Sequence, residues 1–312
     1  LWENPRITRC RAVQRVGVAN EWIKFMVCLW VFFVLLFLFF GFFLFSYNYL
    51  RIVGLFYFGI FFLFSIVALL LFNKSLFWYQ LVLNFYTLSF LNVSYMVGID
   101  GIAAFMIALC AFLLVLCFLS YWHLRYKMRF YILLLFLCLW ILFNVFLSLD
   151  FFFFYIFFEA IIVPLFFFIG VWGSRSRKIY ASYQFFIYTL FGSVFVLLAM
   201  LSVFLSKGSS SFDIFAHSFF FSERQFLLWF FFFFGFSIKI PILPFHIWLP
   251  EAHVEAPTPG SVILAGILLK LGTYAMLRFL VHSFYAISYD LIFFILIISL
   301  VGLTYASLVA LS

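Results

Sequence analysis

At 312 residues, 69% of them hydrophobic and 9% charged, the chain has too little polar surface for a water-soluble globule and falls into apolar blocks of about twenty residues, enough for a helix to cross a bilayer core about 30 Å thick. The formal charge of +8 does not read as a nucleic-acid footprint, because much of the excess lies in an N-terminal arm and two short interhelical loops, positions suited to lipid headgroups and the positive-inside rule. Five cysteines (Cys10, Cys28, Cys110, Cys117, Cys138) form no CxxC and read as small apolar residues rather than a disulfide or metal set.

Residues 1–24 carry Arg6, Arg9, Arg11, Arg15 and Lys24 against Glu3 and Glu21 and contain no serine, so they read as a retained basic arm rather than a transit peptide. Nine membrane spans are predicted at 25–45, 52–72, 101–121, 130–149, 151–172, 179–205, 225–248, 259–280 and 291–311. The stretch 73–100 is too broken by polar residues to span. Its aromatic and β-branched run at 81–97 suits extended chain on the membrane surface. The cations of two short loops, Arg125, Lys127 and Arg129 in one and Arg175, Arg177 and Lys178 in the other, favour that side as the inside. The fold class is therefore all-α, a polytopic transmembrane helical bundle. Phenylalanine fills 56 positions that leucine or alanine would serve equally well, a bias that points to AT-rich coding of the organellar kind.

Three ionisable residues lie deep within these apolar segments, where a charge costs roughly 2.5–3.5 kcal/mol on insertion scales. Glu159 is near the centre of the fifth span, in FFFFYIFFEAIIVP, and holds a proton there unless a cation sits nearby. Pro164 removes the helix bond to the Ala160 carbonyl and leaves an acceptor beside the acid. Lys239 lies past the centre of the seventh span, where Pro241 and Pro244 release the carbonyls of Ser237 and Ile240. Non-helical backbone at that depth is tolerated only inside protein or along a wet cavity, so this helix is expected to be discontinuous. Lys270 is central to the eighth span, which has Pro259 in its first turn. A side chain reaching about 6 Å cannot snorkel across about 15 Å from the mid-bilayer to the interface.

One buried salt bridge plus a stray lysine is the structural alternative, and it leaves Lys270 and the broken helix unexplained. An ion pathway uses all three residues. His246, His253, Glu251 and Glu255 follow in the connection between spans seven and eight, either as a proton relay or as solvated loop and cap residues. Asp100 and Asp150 fall at span ends and read as caps or turn residues. His123, His217 and His282 carry no usable signal, and the five histidines show no pairing across helices that would hold a haem.

The run KIPILPFHIWLPEAHVEAPTPGSVILAGILLKLGTYAMLRF resembles the antiporter-like membrane subunits of respiratory NADH dehydrogenase (complex I), as do FFFFYIFFEAIIVP and VGIDGIAAF. The resemblance covers about 96–311 and implies two inverted five-helix repeats with broken helices, of which this chain carries the first. With the arm and spans read above, the chain divides into the arm 1–24, spans one to three in 25–122, a repeat in 123–281 that the resemblance implies is proton-translocating, and a ninth span in 282–312. The resemblance places Glu159, Lys239 and Lys270 on a hydrated axis that moves protons as the acid–lysine pair forms and separates.

What the resemblance implies beyond the chain follows from that family. No cofactor is expected on this chain; NADH, FMN, iron–sulfur clusters and ubiquinone belong to other subunits of the enzyme. The expected partners are other membrane-arm subunits, membrane lipids, and a separate chain supplying the remaining helices if the gene is split rather than its product truncated. The expected location is the mitochondrial inner membrane, with a bacterial plasma membrane as the alternative. A multisubunit cation/proton antiporter and a structural scaffold of the membrane arm are the competing functions.

Overall fold

The computed structural model describes residues 47–73, 79–88, 93–120, 122, 126–216 and 220–311. The basic arm, the predicted span 25–45, Cys10, Cys28, His123 and His217 lie outside the described residues. Seven helices are long and apolar enough to cross a membrane, at Leu50–Leu71, Gly101–Ser120, Met128–Leu147, Phe151–Trp172, Lys178–Lys207, Thr258–Val281 and Ile292–Leu311. Each coincides with a predicted span. The remaining predicted span, 225–248, is broken as its prolines require.

In chain order the described helices are α1 (Tyr47–Leu71), α2 (Gly101–Ser120), α3 (Met128–Leu147), α4 (Phe151–Ala160), α5 (Ile162–Trp172), α6 (Lys178–Lys207), α7 (Phe212–Ala216), α8 (Ser222–Lys239) and α9 (Trp248–Glu255). They continue as α10 (Thr258–Val281), α11 (Tyr285–Asp290) and α12 (Ile292–Leu311). Within α10 the chain widens into π-helical turns at Leu264–Leu268 and Met276–Val281. At 30 residues α6 is about 45 Å long, more than a bilayer core needs, and it ends where Gly208 adopts φ 70°, the left-handed cap that glycine takes without penalty.

The layering follows from composition. Helix α3 is apolar on every face and sits at the centre, with 78% of its spanning window buried, whereas none of the α12 window is buried. Cys110, Cys117 and Cys138 are free and buried in α2 and α3, as small apolar residues would be.

The segment 73–100 carries extended chain, as the composition at 81–97 suits, and pairs it into a sheet that the all-α class does not include. Strands β1 (Gln80–Leu88) and β2 (Val93–Ile99) pair as an antiparallel hairpin, with Leu83 opposite Val97 and Thr87 opposite Ser94. Alternating branched and aromatic residues suit a pleated strand. The hairpin is joined to the α3–α4 junction, where Leu149 N–H donates to the Met96 carbonyl at 2.9 Å.

Two close approaches fix the helices around the charged residues. Helices α6 and α8 cross backbone to backbone at Gly192 and Gly235. A Cβ on Gly235 would overlap Val196 Cγ2 and stand 2.8 Å from the Gly192 carbonyl oxygen. Helices α4 and α5 are one span broken at Ile161, with Pro164 in the first turn of α5.

Candidate functional site: a lysine held at two helix breaks

Helix α8 ends at Lys239 because Pro241 and Pro244 cannot donate to the preceding turn. The carbonyls left over do not all remain open. Ile242 N–H recaptures the Ser237 oxygen at 2.9 Å, and the indole Nε1 of Trp248, at the start of α9, donates to the Ile238 oxygen at 2.9 Å. The break is thus closed by backbone and side-chain donors in the adjoining connection, which fixes where Lys239 can sit.

Lys239 is only 2% exposed. Its Nζ donates to Glu159 Oε1 at 2.8 Å and to the Phe158 carbonyl at 2.8 Å, and lies 3.3 Å from the Phe158 ring centroid. Glu159, next to the last residue of α4, is the more accessible partner at 15% exposed, and its Oε2 is buried with no partner among the described residues. The sequence pointed to the Ala160 carbonyl as the acceptor beside the acid; the oxygen the lysine takes is that of Phe158. Two broken spans therefore meet at one ammonium. The positive charge also ends a helix, where the macrodipole favours it.

Lys270 is arranged differently. It sits in the α-helical stretch Leu269–Ala275 of α10, is exposed, and its ammonium makes no bond among the described residues. Gly272 two residues later faces the end of α8, since a Cβ there would stand 2.7 Å from Ile240 Cγ1 and 3.5 Å from the Lys239 carbonyl carbon. Residues two apart on a helix point about 200° apart, so Lys270 faces away from Lys239. The structure brings Glu159 and Lys239 together and leaves Lys270 on the far side of α10.

The connection after α8 divides the remaining candidates. His246 is half-buried in the turn 240–247, with its ring edge-on to Tyr305 of α12 at 5.0 Å and Nδ1 buried without a partner among the described residues. His253 and Glu251 are exposed on α9, and the two histidines make no hydrogen bond to each other. Glu255 is 7% exposed, and its backbone carbonyl accepts from Ser174 N–H at 3.1 Å.

Two polar junctions were not legible as such. Asp100 caps α2 through Ala103 N–H at 3.3 Å, as its position suggested, but also lies 3.5 Å from Nη1 of Arg278, a guanidinium 8% exposed. Arg278 further donates to the Tyr274 hydroxyl and stacks 4.4 Å from the Phe212 ring. An arginine in the last turn of an apolar span was the available signal. Asp150 occupies the cap position of α4 but makes no capping bond with its carboxylate. Its Oδ2 instead accepts from Ser94 N–H and Ser94 Oγ, both at 3.1 Å, and its Oδ1 from Ser210 Oγ at 3.1 Å, tying the hairpin to the foot of the Glu159 helix. Burial pushes the Asp150 carboxyl up, and the bonds from Ser210 and Ser94 oppose the shift.

Known proteins are similar to this chain over most of its length. NADH-ubiquinone oxidoreductase chain 4 of Marchantia polymorpha is 46% identical over 248 residues, covering 79% of this chain and 50% of that protein. Its namesake in Arabidopsis thaliana is 44% identical over 263 residues, covering 84% and 53%. NADH-quinone oxidoreductase subunit M of Rickettsia typhi is 40% identical over 257 residues, covering 80% and 51%. The chain thus spans about half the length of the curated relatives it matches. Among solved structures, a chain of respiratory complex I from Thermus thermophilus with bound NADH matches with a TM-score of 0.70 and 28% identity, over 82% of this chain and 52% of that one. Residues 148–312, which contain Glu159, Lys239 and Lys270, match the family described as NADH:quinone oxidoreductase/Mrp antiporter, TM. The chain belongs to the NADH:quinone oxidoreductase/Mrp antiporter transmembrane family.

Proposed function

We propose that this chain is a proton-translocating membrane-arm subunit of an NADH:ubiquinone oxidoreductase in the mitochondrial inner membrane. The observation that carries the reading is Lys239, 2% exposed and bonded to Glu159 and the Phe158 carbonyl where two spans break. A buried ammonium so held is stable only while its counter-charge stays in place. Movement of Glu159 away from Lys239 leaves a cation in apolar surroundings, where it gives up its proton more readily. The proton then passes to Lys270. Because Lys270 faces away from Lys239, water rather than direct contact carries it round α10. His246, whose buried Nδ1 has no partner among the described residues, and His253, exposed on α9, connect the lysines to an aqueous face.

In this reading the redox chemistry of NADH, FMN, iron–sulfur clusters and ubiquinone takes place on other subunits, and this chain holds and moves protons. Its site comprises Glu159, Lys239 and Lys270 within the repeat 123–281, with His246 and His253 as relays. Its neighbours are other membrane-arm subunits and lipid.

The family description names Mrp antiporters as well, which supports a second reading, cation/proton exchange without redox input. Gentle solubilisation of the native membrane, isolation of the assembly holding this chain, and assay of NADH oxidation separate the two. A large NADH-oxidising assembly is expected. A small assembly that does not oxidise NADH but exchanges sodium or potassium for protons overturns the proposal in favour of the antiporter.

A further inference from the structure

The lysine-bearing end of α8 is wedged against α10 at a single missing side chain. A Cβ at Gly272 would come 2.7 Å from Ile240 Cγ1, 3.4 Å from the Ile240 nitrogen and 3.5 Å from the Lys239 carbonyl carbon. The last two distances are ordinary contacts; the first is an overlap of about 1 Å. Ile240 is β-branched and follows Lys239 directly, so it has little freedom to swing aside. On its other side α10 cannot retreat freely. Gly266 lies against α2, where a Cβ would stand 2.6 Å from Leu113 Cδ1, and the Tyr274 ring packs edge-on to Phe146 at 5.1 Å. Between its two π-helical turns, α10 keeps one α-helical stretch, Leu269–Ala275, and that stretch carries both Lys270 and Gly272.

We propose that Gly272 is a positioning residue for proton transfer, setting the spacing between the Lys239 backbone and the helix that carries Lys270. The inference rests on the translocation reading above and names what holds its two lysines in register. The same residue that lets α10 touch the Lys239–Ile240 peptide turns Lys270 to the opposite face. One contact therefore fixes both the distance and the direction from one lysine to the other. A methyl group at 272 has to move α10 or the end of α8 by several tenths of an ångström. Proton transfer through aligned groups is sensitive to displacements of that size, and about 1 Å costs up to about hundredfold in rate.

The test uses the complete assembly carrying Gly272→Ala, Ile240→Ala, both together, or Lys239→Met, reading assembled complex, NADH oxidation and the rate of proton movement per assembled complex. Gly272→Ala is expected to assemble and to move protons at least about tenfold more slowly. The double variant, which removes the overlapping Cγ1, is expected to return within about twofold of wild type. A purely structural role would lower the amount of complex and leave the rate of proton movement per assembled complex unchanged. Wild-type pumping by Gly272→Ala overturns the inference, as does a double variant that assembles without recovering. If Gly272→Ala fails to assemble, the double variant decides by the same criterion, and failure of both to assemble assigns Gly272 to folding and overturns the inference. Normal pumping by Lys239→Met would instead remove the translocation reading itself. Loss in Lys239→Met with no effect of Gly272→Ala would remove this inference alone.

Discussion

Two lysines lie within apolar segments of this chain, and it accommodates them in opposite ways. Lys239 ends a helix, is 2% exposed, and takes its oxygens from a carboxylate and a backbone carbonyl at another helix's broken end. Lys270 sits inside an intact stretch of helix, is exposed, and its ammonium bonds nothing among the described residues. The contrast has a physical cause. An unbroken helix uses its own carbonyls, so it has none to offer a buried cation, whereas a break frees them. Lys239 is buried where the backbone is interrupted, beside the prolines at 164, 241 and 244.

Substitutions can break this contrast. Lys239→Ala leaves the part-buried Glu159 without its cation and is expected to cost about 3–5 kcal/mol, measured as a lower melting temperature of the purified assembly, together with loss of pumping. Replacing Glu159 with Gln and Lys239 with Met together should recover most of the stability and none of the pumping, separating folding from function.

The next effect lies at the other end of the Glu159 helix. Asp150→Ala orphans three donors, Ser94 N–H, Ser94 Oγ and Ser210 Oγ, and is expected to cost about 1–3 kcal/mol, with faster amide exchange in the hairpin. Asp150→Asn keeps an acceptor for Ser94 and should cost less. The sign of the pH dependence follows from burial, which raises the folded-state carboxyl above its unfolded value. The folded state therefore holds the proton more tightly, so the contribution of Asp150 is fully present below the unfolded value. It is lost as pH rises through the folded one. Melting temperature across the acidic range should show this decline in the wild type, and Asp150→Asn should flatten it.

Smaller still is Trp248→Phe, which removes the donor to the Ile238 carbonyl and is expected to cost about 0.5–1.5 kcal/mol by thermal unfolding. Lys270→Met should change melting least, within about 0.5 kcal/mol, because no bond to its ammonium is lost. It should nevertheless stop proton passage, which a measurement of protons per NADH would reveal. A large loss of stability in Lys270→Met would erase the contrast between the two lysines.

Much of this arrangement was legible in the sequence, for identifiable reasons. Hydropathy reports span length directly, so the ends of the spans at 151–172 and 101–120 fell within a residue of expectation. A charge in hydrocarbon is conspicuous, which exposed Glu159, Lys239 and Lys270 together. Direction was not legible, because hydropathy that is high on every face of a helix does not say which side a residue takes. Only the contact of Gly272 with Ile240 shows that Lys270 turns away. Long-range bonding was hidden as well. Asp150 lies 56 residues from Ser94 and 60 from Ser210, and no local pattern links a span-end aspartate to a hairpin serine. The hairpin itself showed as β-branched and aromatic composition, but its partner strand and register depend on tertiary packing.

The most direct test of the central claim is NADH-driven proton pumping by an assembled complex carrying Glu159→Gln, which keeps the side chain's shape and removes the charge that holds Lys239. A complex that assembles and still accepts electrons from NADH but pumps few or no protons is expected. Wild-type pumping by that assembled variant would contradict the central claim.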